Sequence, residues 1–179
     1  MSITDPENHF LDEARFLSIS ARFGLAMSFL NEFCDRFSID GVALDQFREH
    51  LWACPMYQTN GQDFGKWYER LPPIAEHGIS DDQAFGLEGI ASLNDADRSR
   101  FGQIVDCTYD LLQISFFGAG EDEGTYELLV RISNLGRPAE FPATTPFKFS
   151  GIKERDGWGP ALLLSDLQFW RKYSESWYL

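Results

Sequence analysis

Hydrophobic positions along the chain recur mostly at steps of three and four, the period of helices with one buried face. Between Leu11 and Phe37, the residues Phe16, Ile19, Phe23, Met27, Leu30, Cys34 and Phe37 form such a stripe. Leu17, Leu25, Ala26, Phe29 and Phe33 widen it, so the segment reads as one long helix buried around much of its girth. A second helix follows, capped by Asp40, with Leu44, Phe47 and Leu51 on one face and Pro55 as its end. Asp63 opens a short helix carrying Phe64, Trp67 and Leu71, which Pro72-Pro73 stops. Asn94 or Asp95 caps a long amphipathic helix reaching Phe117, with an apolar face of Phe101, Ile104, Val105, Thr108, Leu111, Leu112 and Ser115. Gly118-Ala119-Gly120 ends that helix, Glu121 to Gly124 makes an acidic loop, and Thr125 to Leu135 is helical again until Gly136 and Pro138.

The pattern then changes. Pro138, Pro142 and Pro146 punctuate an extended stretch, and Phe147 and Phe149 alternate with Lys148 and Ser150 in the manner of a short half-buried strand. Asp156-Gly157 supplies a hairpin turn with a return strand near Leu162 to Leu164, and Ser165 caps a last helix through Tyr173. The expected fold is mainly α: one domain over 1–179, built as a helical bundle. Its helical body covers about 10–136, and a small C-terminal extended or two-stranded β appendage with a terminal helix covers about 137–179. Three valines and six threonines against nineteen leucines and sixteen phenylalanines argue the same way, since large sheets favour β-branched residues.

Charge narrows the partners. Fifteen basic against 28 acidic side chains give a net charge of -13, and only four of the cations are lysine. Binding to nucleic acid or an anionic membrane needs clustered cations, so neither is expected as a direct partner. Cys34, Cys54 and Cys107 are odd in number and widely spaced, a pattern of buried free thiols rather than of disulfides or zinc ligands. No apolar run approaches a membrane span, and Met1 to Phe10 lacks the basic start of a signal peptide, so a cytoplasmic location is expected.

Catalytic and metal patterns largely fail on inspection. Gly118 to Gly124 has the wrong spacing for a dinucleotide loop and carries three carboxylates that would repel a pyrophosphate. Asp95, Asp97, Ser99, Gln103 and Asp106 occupy calcium-loop positions, but Arg100 stands where that loop needs glycine. Ser150-Gly151-Ile152-Lys153 matches SxxK without the helix that chemistry requires. His50 and Cys54, at i and i+4, are the nearest approach to a nucleophile and base, and Asp106 and Asp110 are likewise one turn apart. No catalytic residue, metal or cofactor is expected.

The landmarks Phe47-Arg48-Glu49-His50-Leu51-Trp52, Phe64-Gly65-Lys66-Trp67-Tyr68, Phe116-Phe117-Gly118-Ala119 and Gly157-Trp158-Gly159 come in that order within a small acidic helical chain. In this the sequence resembles bacterial immunity proteins encoded beside polymorphic or contact-dependent toxins. The resemblance implies a non-enzymatic inhibitor that occludes a cognate toxin, with no assignment of individual toxin-binding residues; a monomer is expected. Steering toward a basic toxin face would fall to the acidic clusters, so Asp81, Asp82, Glu121, Asp122 and Glu123 are the expected partner-binding residues. A small-molecule sensor or enzyme with a helical pocket is the competing expectation, resting on His50, Cys54 and the Asp106/Asp110 pair.

Overall fold

Eight residues past the end of the first helix, an arginine in the middle of an apolar stripe helps to seat the next one. In the computed structural model, which describes residues 6–59, 64–77, 86–117 and 122–179, the stripe over 11–37 is two helices. Helix α1 spans Pro6–Ala14 and α2 spans Ile19–Arg36. The break has a local cause and a distant one. Ser18 is the N-cap of α2, its hydroxyl accepting from the Ala21 N–H at 3.1 Å. Across the chain, the Ser18 N–H donates to the Ser150 carbonyl at 2.8 Å and the Ile152 N–H to the Phe16 carbonyl at 3.1 Å. Arg22, fully buried, then donates to the carbonyl of Ala14, which also accepts from the Leu17 N–H at 3.2 Å, and to that of Arg15 just past the end of α1.

Helix α3 covers Val42–Thr59 and runs through Pro55, which was expected to end it. Proline removes one helix hydrogen bond, but burial of Leu51, Trp52, Cys54 and Pro55 holds the helix together. The short helices α4 (Phe64–Tyr68) and α5 (Pro73–His77) pack on α3. Helix α6 spans Asp95–Phe117 and starts as its sequence predicts, the Asn94 side chain accepting from the Asp97 N–H at 2.8 Å. Helix α7 spans Asp122–Gly136 and α8 spans Leu164–Ser174. Helix α2 is buried along nearly its whole length and touches α6, α7 and α8, so it is the central rod of the molecule. Among the described residues no helix is long and apolar enough to cross a membrane.

The described residues form no strand, so the expected β appendage is corrected to a set of turns. Thr145–Phe147 and Arg155–Gly157 are single 3-10 turns, and the only sheet-like feature in this stretch is the isolated bridge between Leu17 and Gly151. Phe147 is fully buried while Phe149 is 52% exposed, so the two do not share the buried face that their alternation suggested. The stretch is pinned by side chains instead. Ser18 and Ser150 hydroxyls meet at 2.7 Å, Ser20 donates to the Trp158 carbonyl at 2.9 Å, and the Trp170 indole donates to the Pro146 carbonyl at 3.0 Å. Gly159, at φ +83°, presses against both serines, where a side chain has neither room nor the right backbone.

The Phe147 ring also fixes the identity of Gly24 in α2, because a Cβ there would collide with it. Phe147 is itself held by Trp170 at 5.0 Å and Tyr173 at 5.6 Å between ring centroids, and has nowhere to go. Gly24→Ala is therefore expected to destabilise by about 1–3 kcal/mol through overpacking, despite alanine's better helix propensity. Urea denaturation checks this; a stabilised variant would mean that the α2–loop contact is loose.

Candidate functional site

Helix α6 presents two faces. Phe101, Ile104, Val105, Thr108, Leu111 and Leu112 point into the core, and Asp106, Asp110 and Gln113 follow one another along the other side at helical spacing. Where that polar side meets α4 and α5, it makes a cleft of about 400 Å³ lined by Tyr68, Leu71, Ala75, Asp106, Tyr109, Asp110 and Gln113. Gln113 donates to the Tyr68 hydroxyl at 3.4 Å.

Behind the cleft lies a stack of flat side chains. The Trp67 indole is fully buried and runs nearly parallel to the His50 imidazole, 4.4 Å between centroids, and to the Tyr109 ring at 5.9 Å. Its N–H donates to the His50 backbone carbonyl at 2.7 Å, tying α4 to α3. Tyr109 is only 7% exposed, yet its hydroxyl has no hydrogen-bond partner. Leaving a buried hydroxyl unpaired costs about 1–3 kcal/mol, which marks this one as a group to be explained.

The charges at the cleft are also perturbed. Loss of hydration holds the Asp106 carboxyl above the usual aspartate value, with Arg131 of α7 pulling it partly back. Asp110 is raised for the same first reason, then by the like charge of Asp106, again against Arg131. Burial pushes His50 down to about 4, and its Nε2 is buried without a partner. Burial raises the Cys54 thiol well above its ordinary value, and the residue is fully inaccessible. The His50/Cys54 pair is thus brought close to the cleft without forming a nucleophile and base: the imidazole Nε2 bonds to nothing, and the thiol is neither ionised nor exposed.

Of the five acidic residues expected to bind a partner, Asp81, Asp82 and Glu121 lie outside the described residues. Asp122 and Glu123 belong to the first turn of α7 rather than to a loop, and the helix dipole favours the Glu123 carboxylate there. Glu123 is exposed and faces Arg15 at 3.4 Å. Asp97, from the rejected calcium pattern, is taken up by Arg100 at 2.8 Å and by Asn94 at 2.7 Å. Among the described residues no group of three or more His, Cys, Asp or Glu side chains is arranged to hold a metal.

Three other surface depressions each hold an ion pair. In one, hydrogen bonds from Lys148 and Thr144 hold Glu13 below its ordinary carboxylate value. In another, Arg171 pairs with Glu49 at 2.5 Å. In the third, Glu32 faces Arg36 at 3.4 Å, and the Trp177 indole, docked on α2 through the Ser28 carbonyl at 3.3 Å, forms a wall. The α4–α5–α6 cleft differs in bringing two carboxylates and an unpaired phenol together. Comparison with protein-family models, curated proteins and solved structures finds no match for the chain.

Proposed function

We propose that the chain is an immunity-type binding protein, which neutralises a basic protein toxin in the bacterial cytoplasm by covering part of its surface. The observation that carries this reading is the α4–α5–α6 cleft, where the exposed carboxylates of Asp106 and Asp110 stand one helical turn apart as acceptors for a cationic group. The net charge of -13 adds long-range attraction for a basic partner, and the exposed ends of Phe16, Phe149 and Phe169 offer apolar contact area on other parts of the surface. The acidic positions Asp81, Asp82 and Glu121 to Glu123 retain the steering role that their sequence suggests. A runner-up reading, a sensor or enzyme for a small molecule, draws on the same cleft with His50 behind it.

The test is affinity capture from the lysate of the encoding organism with low- and high-salt washes, followed by co-expression with the captured protein. A single basic protein retained in stoichiometric amount, whose toxicity co-expression suppresses, is expected. Failure to retain any basic protein would overturn the reading. The double variant Asp106→Asn/Asp110→Asn should weaken the complex while raising the unfolding temperature at pH 7, because it removes two carboxylates whose charged form the fold disfavours. That gain in stability is fully present above the raised folded values and disappears as pH falls below the ordinary aspartate range, where wild type is protonated too.

A further inference from the structure

We propose that α8 is a self-pairing surface: a second copy of this chain docks on it antiparallel, about a two-fold axis near Phe169, with Asp166 of each copy facing Lys172 of the other. The inference goes beyond the inhibitor reading. It gives Phe149 and Phe169 to a second copy and leaves the α4–α5–α6 cleft, built from other helices, to a toxin.

Burial sorts α8 into two sides. Leu167, Trp170 and Ser174 face the core. Asp166, Phe169 and Lys172 step along the outer side at i, i+3 and i+6. Phe169 is 55% exposed in the middle of this row. Phe149 leans on Trp170 at 5.3 Å between ring centroids and is 52% exposed beside the helix. Two half-bare phenylalanines around one buried tryptophan make an apolar spot that the described residues leave uncovered.

Charge decides what covers it. Residues 137–179 hold six basic and five acidic side chains, whereas residues 1–136 hold nine basic and twenty-three acidic. The excess that makes two copies repel belongs to the chain before residue 137, so the surface of α8 is where they can meet. A basic partner has no electrostatic reason to choose that surface. The row is also complementary to itself. Asp166 and Lys172 stand three residues either side of Phe169. An antiparallel copy therefore brings unlike charges together at both ends and phenylalanine to phenylalanine at the centre. A parallel copy would set like charge on like. Both charges are available for the contact. Lys172 has no ion pair among the described residues, while Arg171 beside it is taken by Glu49 and Glu175. Asp166 spends one oxygen on the Leu163 N–H at 2.8 Å and keeps the other. The contact is small, since the 11 residues of α8 make a helix only about 16 Å long. Its face falls short of the roughly 800 Å² per side of a stable interface, so the dimer is weak, with a dissociation constant of about 10–100 µM.

The experiment is sedimentation equilibrium of the whole protein from about 5 to about 500 µM, in about 0.15 M salt to screen the remote acidic excess. Wild type is expected to move from the mass of one chain toward that of two, and no further. Phe169→Glu should raise the dissociation constant more than about tenfold, and Phe149→Glu at least about threefold. Val42→Glu, at a residue of α3 that is more exposed still, should not change it. Lys172→Glu and Asp166→Lys should each self-associate about tenfold more weakly than wild type. A mixture of the two should regain wild-type association, because each charge then faces its opposite. Asp166→Lys gives up the hydrogen bond to the Leu163 N–H, whereas Lys172→Glu touches no cap. If Asp166→Lys does not fold, Lys172→Glu and the phenylalanine variants decide. A mass that stays at one chain throughout, unchanged association in Phe169→Glu or Lys172→Glu, equal loss in Val42→Glu, a mixture no tighter than its parts, or growth past two chains would each overturn the proposal. The inhibitor reading stands or falls on the capture experiment alone.

Discussion

Arg22→Leu is expected to lower the unfolding free energy by about 3–5 kcal/mol, the range seen when one member of a buried charged network is removed. The side chain is fully buried, and its guanidinium fork joins the end of α1 to α7. Nε donates to the Ala14 carbonyl at 3.2 Å and Nη2 to the Arg15 carbonyl at 2.6 Å, satisfying the end of α1. Nη1 donates to the Thr125 hydroxyl at 2.8 Å, in the first turns of α7, and the group lies 5.6 Å from the Tyr126 ring centroid. Leucine fills most of the space but leaves two helix-end carbonyls and a threonine hydroxyl without that donor. Arg22→Lys keeps the charge and loses the fork, so it should fall between wild type and leucine. Arg15→Ala is the control: its ion pair with Glu123 is 3.4 Å long and solvent-exposed, and its loss should change stability by less than about 1 kcal/mol. Urea denaturation of the three variants checks the series. An Arg22→Leu loss as small as that of Arg15→Ala would mean that the carbonyls find water and that α1 is held by apolar contacts alone.

Arg22 also shows why one part of the fold was hidden in the sequence. Within the stripe from Leu11 to Phe37 the apolar period runs on across the break through Phe16, Leu17 and Ile19, and the Ser18 cap is its one local sign. The interruption is fixed in place by Ser150 and Gly151, more than a hundred residues away, and sealed by a buried cation that periodicity counts only as a polar position. Helix α6 was legible because its start and its face are both local: Asn94 caps it, and the apolar residues keep one period to Phe117. The alternation around Phe147 misled because a 3-10 turn also sends neighbouring side chains apart, and only tertiary contacts with Trp170 and Tyr173 decide which ring is buried. Of the candidate site, the pair Asp106/Asp110 and the region of His50 and Cys54 were readable as i, i+4 pairs. Tyr109 and Gln113 stood at the same helical spacing and carried the signal as well. Tyr68 and Trp67 could not be placed, since their approach to α6 depends on how α4 folds back on α3.

Trp67→Ala should cost about 3–5 kcal/mol, as large aromatic truncations in a packed core do, and it should also weaken the cleft that Trp67 does not itself line. The indole supports the Tyr109 ring at 5.9 Å, so its loss frees a tyrosine that lines the cleft. Trp67→Phe should lose less: it keeps an aromatic ring between α3 and α6 but gives up the N–H donated to the His50 carbonyl. A pH series separates the two roles. His50 is held down to about 4 by burial, below its ordinary value of 6.5, so the unfolded chain takes up the proton first. Its contribution to stability is therefore complete above pH 6.5 and declines as pH falls toward 4. Glu13 and Glu49, both held low by hydrogen bonds from Lys148 and Arg171, lose their contribution only as pH falls through still more acidic values. Asp106 and Asp110 work in the opposite sense and recover stability on acidification. With the indole gone, water reaches His50, its proton affinity returns toward the ordinary value, and the decline between pH 6.5 and 4 should flatten. Denaturation midpoints at pH 7.5, 6 and 4.5 for wild type, Trp67→Phe and Trp67→Ala measure this. If Trp67→Ala keeps the full wild-type slope, the imidazole is desolvated by α3 itself, and the aromatic stack is packing with no hold on the groups around the cleft.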